Sequence, residues 1–127
     1  MLKEFLALGA KNDPKQRVYA SGGVGSPGHF AAAYLESLVG VEFTHIPYRG
    51  AGPVLNDLMG GHVHLLADPM LSSLPNVQGG KLKIIAVNNQ QRASQLPGIS
   101  TISEQLPGYE VPPGWMGYLA PAGLPQP

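Results

Sequence analysis

The feature that most narrows the fold is a unit that repeats along the chain: a short apolar run, a loop with a helix-starting signal, then an amphipathic stretch that glycine terminates. Arg17 to Ala20 reads as a first strand and Ser21-Gly22-Gly23-Val24-Gly25 as a loop. Ser26-Pro27 then supplies an N-cap oxygen and the residue best suited to the first helical position. Phe30, Ala31, Tyr34, Leu35 and Leu38 share one face at the helical period, and Gly40 stands where a left-handed cap is commonly needed. Val41 to Ile46 reads as a second strand, Pro47 to Gly50 as a loop, and Pro53 to Met59 as a helix with Val54, Leu55, Leu58 and Met59 inward before Gly60-Gly61. The unit returns with Val63 to Ala67 as a third strand. Asp68-Pro69 follows as cap and first turn, and a helix runs from about Met70 to Gln78 into Gly79-Gly80.

Around these units the signals are simpler. Leu2, Phe5, Leu6 and Leu8 suggest a short opening helix that Lys11-Asn12-Asp13-Pro14 ends. The continuous apolar run Leu82 to Val87 reads as a buried fourth parallel strand. Thr101-Ile102-Ser103-Glu104 fits a capping box. Trp115 to Leu119 reads as a last strand. Strands alternating with helices over short connections predict an α/β fold, a mostly parallel sheet flanked by helices and built from right-handed crossovers. Ligands of such sheets collect at the carboxyl ends of the strands, where the next helices begin. A site is therefore expected in the loops around Ser21 to His29, Pro47 to Pro53 and Asp68 to Pro69.

A chain of 127 residues has room for one domain, spanning 1–127, that buries roughly two-thirds of its unfolded surface. Eight basic and eight acidic residues cancel with no run of either sign, so neither a nucleic acid nor an acidic membrane is an expected partner. No apolar stretch approaches the roughly 20 residues that span a bilayer, and the first residues have neither the apolar length nor the cleavage site of a signal peptide. With no cysteine, disulfides, thiolate nucleophiles and cysteine metal sites are excluded.

Gly23-Val24-Gly25-Ser26-Pro27-Gly28 satisfies G-x-G-x-x-G between a strand and a helix, the dinucleotide fingerprint. Its confirming context is an acidic residue near the end of the second strand, whereas Glu42 stands at the beginning, and a proline interrupts the fingerprint. What survives is the physics of the motif: backbone N–H groups at a glycine loop, and a helix N-terminus worth about half a positive charge, welcome a carboxylate as readily as a phosphate. The bland alternative is a tight turn with no ligand. Asp68 reads first as a helix cap and second as an acceptor for a ligand amine or hydroxyl, and one carboxylate can do both. Arg49 could grip a carboxylate bidentately or be a solvated loop residue. His62 and His64 share one strand face without a third metal ligand, at the strand's entry end. Ser26 and His29 lack the third group and the oxyanion hole of a hydrolase. No catalytic residue, metal or cofactor is expected.

Gly25-Ser26-Pro27-Gly28-His29, His45-Ile46-Pro47-Tyr48-Arg49-Gly50 and Leu55-Asn56-Asp57-Leu58-Met59-Gly60-Gly61, with Gly80-Lys81-Leu82-Lys83, Leu96-Pro97-Gly98, Pro107-Gly108-Tyr109 and Leu119-Ala120-Pro121-Ala122-Gly123 in order, resemble the tripartite tricarboxylate transporter receptors, the Bug family. The resemblance implies a periplasmic binding protein whose two α/β lobes close on a small organic acid and present it to membrane transporter subunits. It covers the second lobe only, so the first lobe of the same protein is an implied partner. Ser26 and Gly28 match the second lobe's ligand loop, which Gly25, Pro27 and His29 complete, and Asp68 matches an acidic position facing the cleft. Pro69 and Met70 depart from the pattern, since family members often carry a polar residue there. The competing classes are a nucleotide-binding oxidoreductase fragment and a sensory effector-binding domain. An isolated lobe is expected to bind weakly and to self-associate through the face it exposes.

Overall fold

The computed structural model describes residues 2–9, 18–112, 114 and 117–123. Its elements run in the order α1 (Leu2–Gly9), β1 (Val18–Ser21), α2 (Pro27–Val39), β2 (Thr44–Pro47), α3 (Ala51–Met59), β3 (Leu65–Leu66), α4 (Met70–Gln78) and α5 (Ile102–Gln105). The three strands form one parallel sheet in the order β2-β1-β3, with Tyr19 opposite both His45 and Leu65. Helices flank a parallel sheet, so the fold class is α/β as expected.

Alternation along β1 sorts the core into two clusters. Tyr19 points to one side, where it meets the edge of Phe43, and Leu2, Leu6, Leu35 and Tyr109 are buried there. Ala20 points to the other side and packs with Val54 of α3 and Val63. Full burial of a side chain such as Val54 or Val63 stabilises by about 1.5–3 kcal/mol, so each cluster holds its own layer of helix to the sheet.

Local start and stop signals form as the sequence indicates. The Ser26 side chain accepts from the His29 N–H at the head of α2, Pro27 occupies the first turn, and Gly40 closes the helix in the left-handed region at φ 65°. Thr101 and Glu104 make both bonds of a capping box at α5.

Longer-range expectations shift. Leu82 to Val87 is not a fourth strand: it pairs with none of the three, and Val87 alone makes a parallel bridge, to Thr101. Apolar continuity records burial, whereas a strand also needs a neighbour's backbone at hydrogen-bonding distance, and a cavity separates this run from β3. The second strand begins at Thr44 rather than Val41, and the third contracts to Leu65–Leu66 because only those residues align with β1. In α2 the buried residues are Ala32 and Leu35, while Phe30 and Leu38 are exposed; the helix docks through the Ala32–Leu35 face, which turns Phe30 and Leu38 to solvent. In α3, Val54 and Leu55 are buried and Met59 is exposed. Gly117 to Leu119 joins no strand, and Trp115, like Arg17 and the turn at 11–14, lies outside the described residues.

Candidate functional site

The loop between β1 and α2 folds on its own polar groups. The Ser21 hydroxyl, fully buried, accepts from the Gly23 N–H at 3.2 Å, lies 3.0 Å from the Gly23 carbonyl oxygen and 2.7 Å from His45 Nε2. Its single proton goes to the Gly23 carbonyl, so the His45 contact is made by the tautomer whose Nε2–H donates to Ser21 Oγ. The Gly25 N–H donates to His29 Nδ1 at 2.9 Å, and Ser26 N–H to the Gly23 carbonyl at 3.2 Å. Gly25 can turn this corner because it adopts φ 80°, where a Cβ is strained. His29 stacks on His45 with centroids 4.2 Å apart, and His45 stacks on Tyr19 at 4.6 Å, so a column of rings runs from the loop into the core. Burial, and then the neighbouring His29, push the His45 pKa below 6.5.

This geometry leaves donors for a ligand. Ser26 Oγ uses a lone pair on the His29 N–H and keeps its own hydrogen. Among the described residues the Gly28 N–H has no partner, while the Phe30 N–H returns to the Ser26 carbonyl at 3.0 Å. A hydroxyl and a backbone amide thus stand together at the positive end of a 13-residue helix.

Asp68 corrects one expectation. It is not the cap of α4: the cap position falls on Pro69, which has no capping side-chain bond. The Asp68 carboxylate instead accepts from the hydroxyls of Ser72 and, at 2.9 Å, Ser73. Helical geometry begins at Met70, one residue later than in the Ser26-Pro27 start of α2, and Asp68 stands one position before the cap. Two serines therefore orient the carboxylate through one oxygen, leaving lone pairs on the other.

The start of α2 and the end of β3 meet at Gly28. A Cβ built there would overlap the Ala67 carbonyl oxygen, so only glycine lets the α2 N-terminus lie this close to the residue preceding Asp68. Pro27, Gly28 and Asp68 consequently border one cavity of about 920 Å³, whereas Gly25, Ser26 and His29 stand outside its lining. Arg49 is exposed in its loop, and His62 and His64 precede β3, with His64 Nδ1 accepting from the Val18 N–H at 3.4 Å. Among the described residues no group of three metal-ligating side chains comes together. Glu42 is exposed and lies before β2, not at its carboxyl end where a ribose would be held.

Sequence reasoning placed Ser21 and Tyr48 in the expected loops without giving them roles, and it gave none to His45 or Asp57. The four form the floor of the site: the Tyr48 N–H donates to the Ser21 carbonyl at 3.0 Å, and its hydroxyl donates to Asp57 at 2.5 Å. The available signal was Ser21 at the end of β1 and Tyr48 directly after β2, at the carboxyl ends of the strands where ligands collect.

The whole chain, residues 1–127, matches the family model described as tripartite tricarboxylate transporter family receptor. It is 37% identical over 123 residues to the UPF0065 protein in the tcbD-tcbE intergenic region of Pseudomonas sp. strain P51, covering 95% of this chain and 36% of that relative. Among solved structures it resembles R. palustris Rpa4515 with adipate (TM-score 0.81, 33% identity, 86% of this chain and 36% of that one). It also resembles MatC from Rhodopseudomonas palustris with bound malate (TM-score 0.74, 27% identity, 81% and 35%). The periplasmic binding protein BugD is similar at TM-score 0.71 and 32% identity, over 79% and 33%. The chain thus spans about a third of the length of the proteins it matches.

Proposed function

The chain belongs to the tripartite tricarboxylate transporter receptor family, and from that premise we propose that it forms one wall of a cleft for a small di- or tricarboxylate. The observation that carries this reading is the close approach of Gly28, next to the Ser26 hydroxyl at the head of α2, to Ala67, the residue before the serine-oriented carboxylate of Asp68. The donors receive a ligand carboxylate. Asp68 accepts from a hydroxyl of the ligand or from a bridging water. Gly25, Pro27 and His29 shape the loop around it. Adipate and malate, present in the two similar structures, are small dicarboxylates of this class.

The chain corresponds to the second of two lobes, and the first lobe supplies the opposite wall. The assembled receptor works in the periplasm and hands its acid to membrane transporter subunits. It is a receptor, not an enzyme: the relatives are solute-binding proteins, and the one serine hydroxyl described against a histidine, Ser21 on His45, is fully buried beneath the loop.

An amide-resolved NMR titration with adipate, malate and citrate, and nicotinamide dinucleotide as a control, tests the reading. Carboxylate-dependent shifts centred on residues 21–29 and Asp68, lost in Ser26→Trp, are expected. Shifts with dinucleotide alone would replace the receptor reading by a nucleotide site. Silence with every acid would remove ligand binding from this chain.

A further inference from the structure

The cavity that Gly28 and Asp68 border extends between β3 and the Leu82 to Val87 run, and it has the character of a gap in a sheet. On one side, β3 pairs with β1 and, among the described residues, has no strand at its other edge. On the other side, among the described residues, the N–H groups of Lys83, Ile84, Ile85 and Ala86 make no hydrogen bond. Both walls are extended backbone with unspent polar groups, which is the condition under which an added strand gains affinity from main-chain bonds. The gap is apolar on both faces: Leu35 of one core cluster and Leu58, packed against the other, both line it.

The chain also carries a strand-like segment without a sheet. Gly117-Tyr118-Leu119-Ala120 lies outside every helix and strand, with Tyr118 fully exposed and Leu119 88% exposed. Consecutive large apolar residues in a strand project to opposite faces, so such a segment is satisfied only where both faces are covered. The gap between β3 and Leu82 to Val87 offers that cover, and the segment does not occupy it in its own chain. We propose that the gap receives residues 117–120 of a second copy of this chain, so that the protein self-associates by strand exchange. The exchange closes as a dimer if both copies donate and grows head to tail if one does. It does not rest on the carboxylate reading, but Gly28 and Asp68 border the same cavity, so the association is measured without added acid.

The absence of cysteine makes the test clean. Sedimentation equilibrium from micromolar to millimolar chain should show the average mass at least doubling from 13.4 kDa, and Leu119→Lys, at an exposed position that leaves the monomer fold alone, should hold it at the monomer value. A nitroxide on Ala122→Cys, just beyond the inserted segment, mixed with isotope-labelled wild-type chain, should broaden amides of residues 65–68 and 82–88. A monomer at every concentration, association untouched by Leu119→Lys, or broadening elsewhere would overturn the proposal. So would broadening that persists when doubly labelled chain is diluted into excess unlabelled chain, because that is insertion within one copy.

Discussion

Gly28 stands where α2 begins and β3 ends, and a methyl group there would collide with the Ala67 carbonyl. Alanine ordinarily favours a helix over glycine by about 1 kcal/mol, yet Gly28→Ala should destabilise by about 1–3 kcal/mol, since the obstacle is backbone and the helix must back away. Urea unfolding measures it, and a stabilised variant would refute the close approach. His45 sets a pH dependence. Its folded pKa lies below 6.5 through burial and the neighbouring His29, so the unfolded chain takes up a proton that the folded chain refuses. The stability that the neutral ring provides is complete above about 6.5 and is lost as pH falls through the lower folded value. Between about pH 7.5 and pH 5.5 the urea midpoint of the wild type should fall more than that of His45→Gln; parallel curves would mean the ring column does not resist protonation. Neither effect follows from residue type alone. Gly28 was marked by its motif as a ligand-loop residue, but its contact with Ala67 and the burial of His45 emerged only when their neighbours were in place.

α5 shows how far a short element depends on what lies beside it. Four residues, Ile102–Gln105, are too few to hold a helix by propensity, so the capping box and Arg92 do so. Arg92 Nε lies 3.0 Å from both carboxylate oxygens of Glu104, and its Nη1 donates to the Pro97 carbonyl at 3.1 Å, which ties the 92–97 loop to the helix start. Hydrogen bonding from Arg92, helped by the Thr101 backbone, lowers the Glu104 pKa from 4.5 to about 2. With the folded value below the unfolded one, this stabilisation is present above about 4.5 and disappears as pH falls toward about 2. Both side chains are partly exposed, so solvent screening keeps the effect on global stability small, and the sensitive readout is local. Arg92→Gln should move the Glu104 carboxyl titration, followed by NMR, upward toward 4.5. An unmoved titration would assign the shift to the capping box alone. The box itself was legible as Thr101-x-x-Glu104, while the arginine twelve residues earlier was not, because nothing local ties residue 92 to residue 104.

At the scale of the molecule, one lobe can hold its ligand only loosely. Charge-assisted hydrogen bonds from Ser26 and Gly28 contribute about 1.5–3 kcal/mol each, whereas association costs on the order of 4 kcal/mol or more. The dissociation constant of adipate or malate should therefore be about millimolar or weaker, measured from the same NMR shifts, and a micromolar value would mean that this wall alone completes the site. What the sequence by itself determined is the set of features that neighbouring residues can specify among themselves. These are the Ser26-Pro27 start and Gly40 stop of α2, the box at Thr101, the alternation that makes an α/β fold, and the motif order that marks the family. Their causes are hydrogen bonds and backbone preferences spanning a few residues. The tertiary structure alone decided that Asp68 is held by serines instead of capping α4, that Phe30 faces solvent, and that His45 lies beneath the loop. It alone left Leu82 to Val87 facing a gap, because pairing requires a second backbone at the right distance and an apolar run says only that it will be buried.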